Sequence, residues 1–331
     1  MREAATSMTS RWREGTVQPI DTQLYQTTAR AVVRSLFSAE LGTDATDEIV
    51  RSLPVILNGI GTRTYVPVNA LYRLPTPGNR RFEKALRGLH AVVDSVIAEY
   101  RRAGNDHQDL LSTLLSARHQ DTGDPLTDQE VHDQAVSVLS AGTDPTASTM
   151  AWVLHALATH PDIERAVHDE VDHVLGGRPV TVDDLPALDY LHRVVDEALR
   201  LYAPAWLLPR SPERDIELRG HRIPAGSQIF FSPFAIHHDP RLRQHPERFD
   251  PDRWLPHSGD STTRCSFLPF GSGVRQCIGE PYARTLMPVV LATVTQHWRL
   301  RHTPRARIRP VAFTLLRPNR MPMIAQKRRH A

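Results

Sequence analysis

Phe270-Gly271-Ser272-Gly273-Val274-Arg275-Gln276-Cys277-Ile278-Gly279 is the stretch on which the reading of this 331-residue chain turns. It sets one cysteine in a glycine-rich loop, with an arginine two residues before it and a helical pattern behind it. Nearby positive charge and a helix N-terminus both favour a thiolate over a thiol. Glycines let the backbone turn tightly and aim N–H groups at an anion. A buried structural thiol is the commoner fate of a lone cysteine. The other cysteine, Cys265, lies in the same loop region, and the chain has no C-x-x-C or H-E-x-x-H pairing for zinc.

The joint spacing of Phe270, Gly273, Arg275, Cys277 and Gly279 resembles the haem-binding loop of the cytochrome P450 family. The resemblance implies haem b (iron protoporphyrin IX) with Cys277 as its axial thiolate ligand and Phe270 and Gly279 shaping the loop around it. A thiolate in that place pushes electron density toward bound oxygen and favours O–O cleavage. It also implies that Arg275 holds a haem propionate, and that Arg210, ten residues after Arg200, holds another. A guanidinium matches a carboxylate in bidentate fashion.

Upstream, Glu197-Ala198-Leu199-Arg200 puts a carboxylate and a guanidinium at i and i+3, on one helix face. Alone, this is the spacing of an ordinary surface ion pair, worth roughly 0–1 kcal/mol. Here Val194, Val195, Leu199 and Leu201 make the helix largely apolar, and a packed pair needs further hydrogen bonds to offset desolvation. Pro246-Glu247-Arg248-Phe249 follows, and the order E-x-x-R, P-E-R-F, cysteine loop is that of the same family. The resemblance implies a buried scaffold triad of Glu197, Arg200 and Arg248.

Ser140-Ala141-Gly142-Thr143-Asp144-Pro145-Thr146 lies within a long helical pattern and resembles the family's A-G-x-[DE]-T-T. By that likeness Ala141 and Gly142 leave room for oxygen, and Asp144 with Thr143 or Thr146 serves its protonation. The departure is Pro145, which stands in place of the first threonine of the pair. Proline has no N–H and its ring crowds the carbonyl four residues back, here Ala141. The expectation is a helix that opens there, with a water at the freed carbonyl and altered coupling of oxygen use to product.

Apolar residues are 40% of the chain, enough for a sizeable core. The formal net charge of +3 is too small to argue for a nucleic-acid partner. Two cysteines suit a reducing compartment. No apolar run approaches the ~18–20 residues of a membrane span, and the N-terminus has no signal-peptide core. The expectation is a cytoplasmic protein.

Apolar spacing predicts helices over 21–37, 44–57, 79–102, from a Thr127–Glu130 capping box to about 160, from Pro161 to Gly176, over 188–201 and over 280–296, with a kink at Pro288. Residues 59–78 read as a mobile connection. Short strands are expected at 216–218, 222–223, 228–231, 298–301 and 323–325. The fold class is mainly α with a small β portion (α+β), within a single catalytic domain over 1–331. Family members carry an N-terminal region before the helices seen here. The expectation is therefore a P450 fold lacking its N-terminal helices and strands, with exposed strand edges and poor haem retention.

Ile223-Pro224-Ala225-Gly226, His237-His238-Asp239-Pro240 and Phe249-Asp250-Pro251-Asp252-Arg253-Trp254 resemble soluble actinobacterial-type members, several of which oxidise terpenes or other lipophilic metabolites. The function implied is a haem-thiolate monooxygenase that inserts one atom of O2 into a lipophilic small molecule. The chain has no G-x-G-x-x-G or P-loop. Electrons would come from NAD(P)H through a separate ferredoxin or flavodoxin and its reductase, docking where Arg264, Arg275 and Arg284 form a positive face. Two alternatives stay open: a P450-type isomerase, dehydratase or peroxygenase, and an inactive remnant of the fold.

Overall fold

Helix-period apolar spacing dominates the sequence, and helices dominate the computed structural model, which describes residues 1–37, 41–66, 68–104, 108–255 and 265–329. In chain order the helices are α1 (Arg2–Thr9), α2 (Ile20–Leu36), α3 (Thr43–Tyr65), α4 (Asn69–Arg73), α5 (Pro77–Ala103), α6 (Leu110–Ser116), α7 (Asp128–Thr159), α8 (Pro161–Leu175), α9 (Asp189–Tyr202), α10 (Pro233–His237) and α11 (Glu280–His297). The strands are β1 (Val17–Pro19), β2 (Leu208–Arg210), β3 (Ile216–Leu218), β4 (His221–Ile223), β5 (Ile229–Phe231), β6 (Trp298–His302), β7 (Pro310–Ala312), β8 (Leu316–Pro318) and β9 (Pro322–Lys327). They pair as one three-stranded sheet, β1-β9-β6, and three antiparallel pairs, β2-β5, β3-β4 and β7-β8.

The chain divides into two compact units, one comprising Met1, Glu3–Arg11 and Pro19–Ala147, the other Arg2, Trp12–Gln18 and Ser148–Ala331. The first is helical. α3 packs on α5, and α2 packs on α3 and α6. Leu24, Leu36, Ile49, Leu53, Leu89, Val93 and Leu111 form its interior. Burying each such side chain contributes roughly 1.5–3 kcal/mol. The start of α7 is fixed by a reciprocal capping box, in which Glu130 N–H donates to Thr127 Oγ1 at 3.2 Å and Thr127 N–H donates to Glu130 Oε2 at 2.8 Å.

Residues 59–65, expected as part of a loose connection, instead continue α3. The reason is packing. A Cβ on Gly59 would lie 2.0 Å from Phe82 Cδ2, so the glycine is the socket for the Phe82 ring rather than a chain break. The Arg63 guanidinium stacks over the same ring at 3.7 Å.

In the second unit α11 packs on α8 and α9, while α9 meets α10 and the short turn Pro251–Trp254. Val167, Val171, Leu191, Val194, Leu199, Leu286, Val290 and Leu291 are buried there. α11 is apolar on nearly every face, which suits a helix buried all round. Pro288 lies inside it without ending it. The loop carrying Cys277 leads directly into α11.

Candidate functional site

The cysteine loop is shaped by its own backbone. Gly271 and Gly273 adopt φ of +73° and +70°, left-handed conformations that glycine takes without steric cost. Between them and the sulfur, Gly273–Arg275 forms one 3-10 turn, closed by Gln276 N–H donating to Gly273 O at 2.9 Å. Cys277 N–H then donates to Phe270 O at 2.8 Å. That bond ties the two ends of the loop and sets Cys277 three residues before the start of α11.

Cys277 is exposed and not in a disulfide. Its neighbours Val274 and Ile278 are almost wholly exposed, at 102% and 90%. Apolar side chains turned outward around a thiol are a costly arrangement for bare solvent and a natural one against a flat apolar group. A soft sulfur ligand, an apolar rim and the exposed cation of Arg275 fit an iron porphyrin with its anionic edge. Arg210 is also exposed; it donates to the Pro209 carbonyl at 2.8 Å and lies 5.3 Å from the Phe231 ring centre.

Beside this open loop stands a closed polar node. Glu197 and Arg200 are completely buried. Arg200 donates to both carboxylate oxygens, Nε to Oε2 at 2.9 Å and Nη2 to Oε1 at 2.8 Å. Its other N–H groups donate to the carbonyls of Pro246 at 2.7 Å, His237 at 3.0 Å and Arg248 at 3.1 Å. Glu197 further accepts from Asp250 N–H at 3.0 Å and from the Trp254 indole at 3.1 Å. These bonds meet the condition under which a buried ion pair is tolerated.

The third member of the node is not the Arg248 side chain. The Arg248 side chain is exposed, and that residue takes part through its carbonyl. Phe249 is buried, while Arg248 sits in a bend whose N–H donates to the His245 carbonyl at 3.0 Å. The turn Pro251–Trp254 instead returns Arg253 to the carboxylate, with Nε 3.6 Å from Glu197 Oε1.

Sequence reasoning also missed His237. This buried imidazole donates from Nδ1 to the Arg200 carbonyl at 3.1 Å and accepts at Nε2 from Leu268 N–H at 2.9 Å. It thus joins the node to the start of the cysteine loop. Burial pushes its pKa down to about 3, so it stays neutral as this geometry requires. The double histidine His237-His238 was the visible signal, and nothing in its pattern told which ring turns inward.

Of the three arginines expected on a positive face, Arg264 lies outside the described residues. Arg284 is not a free cation, since it is bound to Asp196 and Glu280 at 2.8 Å each. Arg275 remains exposed.

On α7, the helix continues through Pro145 rather than opening. Proline's fixed φ is compatible with helix, and its cost falls on the Ala141 carbonyl, which loses its i+4 donor. Ala141 is exposed, so water can take that donor's place. Gly142 leaves less room than expected, because a Cβ there would meet Val32 Cγ2 at 3.3 Å. Thr143, Asp144 and Thr146 are buried, and the Thr143 hydroxyl donates back to Leu139 O at 2.8 Å.

Comparison with known proteins points the same way. The family described as Cytochrome P450 matches residues 1–324. Cyclooctat-9-en-7-ol 5-monooxygenase of Streptomyces melanosporofaciens is 43% identical over 96% of this chain and 69% of its own length. Pentalenene oxygenase of Streptomyces avermitilis is 40% identical over 97% of this chain and 71% of its own. The crystal structure of the cytochrome P450DA heme domain superposes with a TM-score of 0.85 at 25% identity, covering 99% of this chain and 72% of that one. No helix among the described residues is long and apolar enough to cross a membrane. Fold, cysteine loop and sequence likeness thus converge, and the chain belongs to the cytochrome P450 family of haem-thiolate monooxygenases.

Proposed function

We propose that this protein is a cytoplasmic monooxygenase, acting as one catalytic domain, in which Cys277 ligates haem b and one atom of O2 enters an unactivated C–H bond of a terpene-like substrate. The reaction balances as R–H, O2, two electrons and two protons giving R–OH and water. The observation that carries this reading is the exposed Cys277 at the end of a loop closed onto Phe270, with Val274 and Ile278 turned outward beside it. Relatives named for oxidising cyclooctat-9-en-7-ol and pentalenene support the substrate class.

When bound, the haem supplies oxygen activation; the chain's own residues hold and orient it. Arg275, exposed and two residues from the sulfur, neutralises a propionate, and Arg210 a second. Glu197, Arg200 and His237 keep the loop's base in place. Proton delivery falls to Asp144 with Thr143 or Thr146. Thr143 keeps an acceptor lone pair while its hydroxyl donates to Leu139 O. Electrons come from NAD(P)H through a ferredoxin or flavodoxin and its reductase.

The test is the carbon monoxide difference spectrum of the reduced protein. A thiolate-ligated iron gives a strongly red-shifted band, and Cys277→Ser abolishes it. A pigmented Cys277→Ser protein that keeps the band sinks the assignment.

Pro145 favours one second reading, in which oxygen gas is not the source of the product's oxygen atom. Isotopically labelled O2 separates the two, since an isomerase, dehydratase or peroxygenase gives unlabelled product. If O2 is used, Pro145→Thr raises the product formed per O2 consumed and lowers peroxide release.

A further inference from the structure

Arg284 sits seven residues beyond Cys277, where an ordinary helix surface would leave it to solvent. Instead it is half-buried and meets three partners. Nη1 donates to Asp196 Oδ1 on α9 at 2.8 Å, Nε donates to Glu280 Oε1 one turn earlier on α11 at 2.8 Å, and the guanidinium stands 5.2 Å from the centre of the Phe270 ring. Each contact leads back to the sulfur. Phe270 is the residue whose carbonyl receives the Cys277 N–H. Glu280 accepts at its other oxygen from the Gln276 side chain at 2.9 Å, and Gln276 directly precedes Cys277. Asp196 directly precedes Glu197, the anchor of the buried node. A planar fork that donates in two directions while standing over a ring is something arginine can do and lysine cannot.

We infer that Arg284 is a positioning residue for the cysteine loop, bracing Cys277 from both sides against α9 and adding one positive charge to the sulfur's surroundings. The inference rests on Cys277 being the iron ligand. Groups outside the ligands themselves orient a metal's ligands and tune its reduction potential through charge and hydrogen bonding. Asp196 and Glu280 both accept from Arg284, so removing the cation leaves two carboxylates uncompensated near the loop, and removing Asp196 has the opposite electrostatic sign.

The test compares Arg284→Gln, Arg284→Lys and Asp196→Asn in the haem-loaded protein by reduction potential and ferrous–CO spectrum, and in the haem-free chain by amide hydrogen exchange over residues 265–279. Arg284→Gln shifts the ferric–ferrous equilibrium toward ferric iron by about threefold or more, and Asp196→Asn shifts it toward ferrous iron. Arg284→Lys keeps the potential close to wild type but not the plane. Both arginine variants speed exchange at the Cys277 amide by about tenfold while residues 189–202 stay protected. Opposite shifts from the two charge changes are what a merely structural side chain would not produce. A wild type with the red-shifted band, and variants with unmoved potential and exchange, overturns the brace alone. A wild type without the band overturns the ligation, and an Arg284→Gln amide that exchanges no faster then overturns the brace by itself.

Discussion

The Glu197–Arg200 node and the Cys277 loop tip lie in the same unit and are treated oppositely by the fold. In the node, two charges are fully buried, and carbonyls, an amide and an indole satisfy them from three segments. In the loop tip, Val274, Arg275, Cys277 and Ile278 are open, and backbone bonds to Phe270 and Gly273 close the turn that carries them. The contrast separates support from chemistry. Groups that hold the scaffold have spent their bonding capacity internally, and groups meant to meet something else have kept theirs. His237 and Arg284 belong to neither class; they carry the order of the first region into the second.

Breaking the node gives the largest effect. Glu197→Ala or Arg200→Ala leaves an uncompensated buried charge and lowers unfolding free energy by about 3–5 kcal/mol, read from urea midpoints. His237→Ala strands the Leu268 N–H and the Arg200 carbonyl and costs about 1–3 kcal/mol near pH 7.

His237 also adds a pH dependence. Its native pKa of about 3 lies below that of an unfolded histidine, about 6.5, so the unfolded chain binds the extra proton between those values. Its contribution is fully present above pH 6.5 and is lost as pH falls toward 3, by at most about 1.4 kcal/mol per pH unit. The difference between wild type and His237→Ala across that window isolates this from other groups.

Arg253→Ala costs about 1–2 kcal/mol and Arg248→Ala under about 0.5 kcal/mol, because Arg253 alone has a side chain at the node. Equal costs would restore Arg248 as the third member of the node. Smallest of all, Arg275→Gln and Cys277→Ser change the stability of the haem-free chain by no more than about 0.5 kcal/mol. A large loss there would make the tip part of the scaffold and erase the contrast.

The sequence disclosed the node and the loop because each rests on short-range spacing. E-x-x-R puts two charges on one helix face, and F-x-x-G-x-R-x-C-x-G writes a complete turn in ten letters. Helices with long apolar periods, such as α5, α7 and α8, were legible to within a few residues. Long-range partners were not. Whether Arg248 or Arg253 reaches Glu197 depends on the turn at Pro251–Trp254, and whether Gly59 ends a helix depends on Phe82, more than twenty residues away. Arg284 looked like surface charge because its partner Asp196 lies on another helix. The proline in α7 was visible, and its mildness was not, since that depends on the exposure of Ala141.

One further consequence follows from the sheet β1-β9-β6. Gly15 N–H donates to Ala325 O at 2.8 Å and Ala325 N–H to Thr16 O at 3.0 Å, so β1 waits for a strand made about 300 residues later. Its middle member is the last to be synthesised. During translation β1 and β6 have nothing between them, and a nascent chain stopped short of Pro322 leaves both without their shared neighbour. Closure of this sheet therefore follows synthesis of Pro322–Lys327, and a chain lacking that segment exposes the facing edges of β1 and β6 to proteolysis.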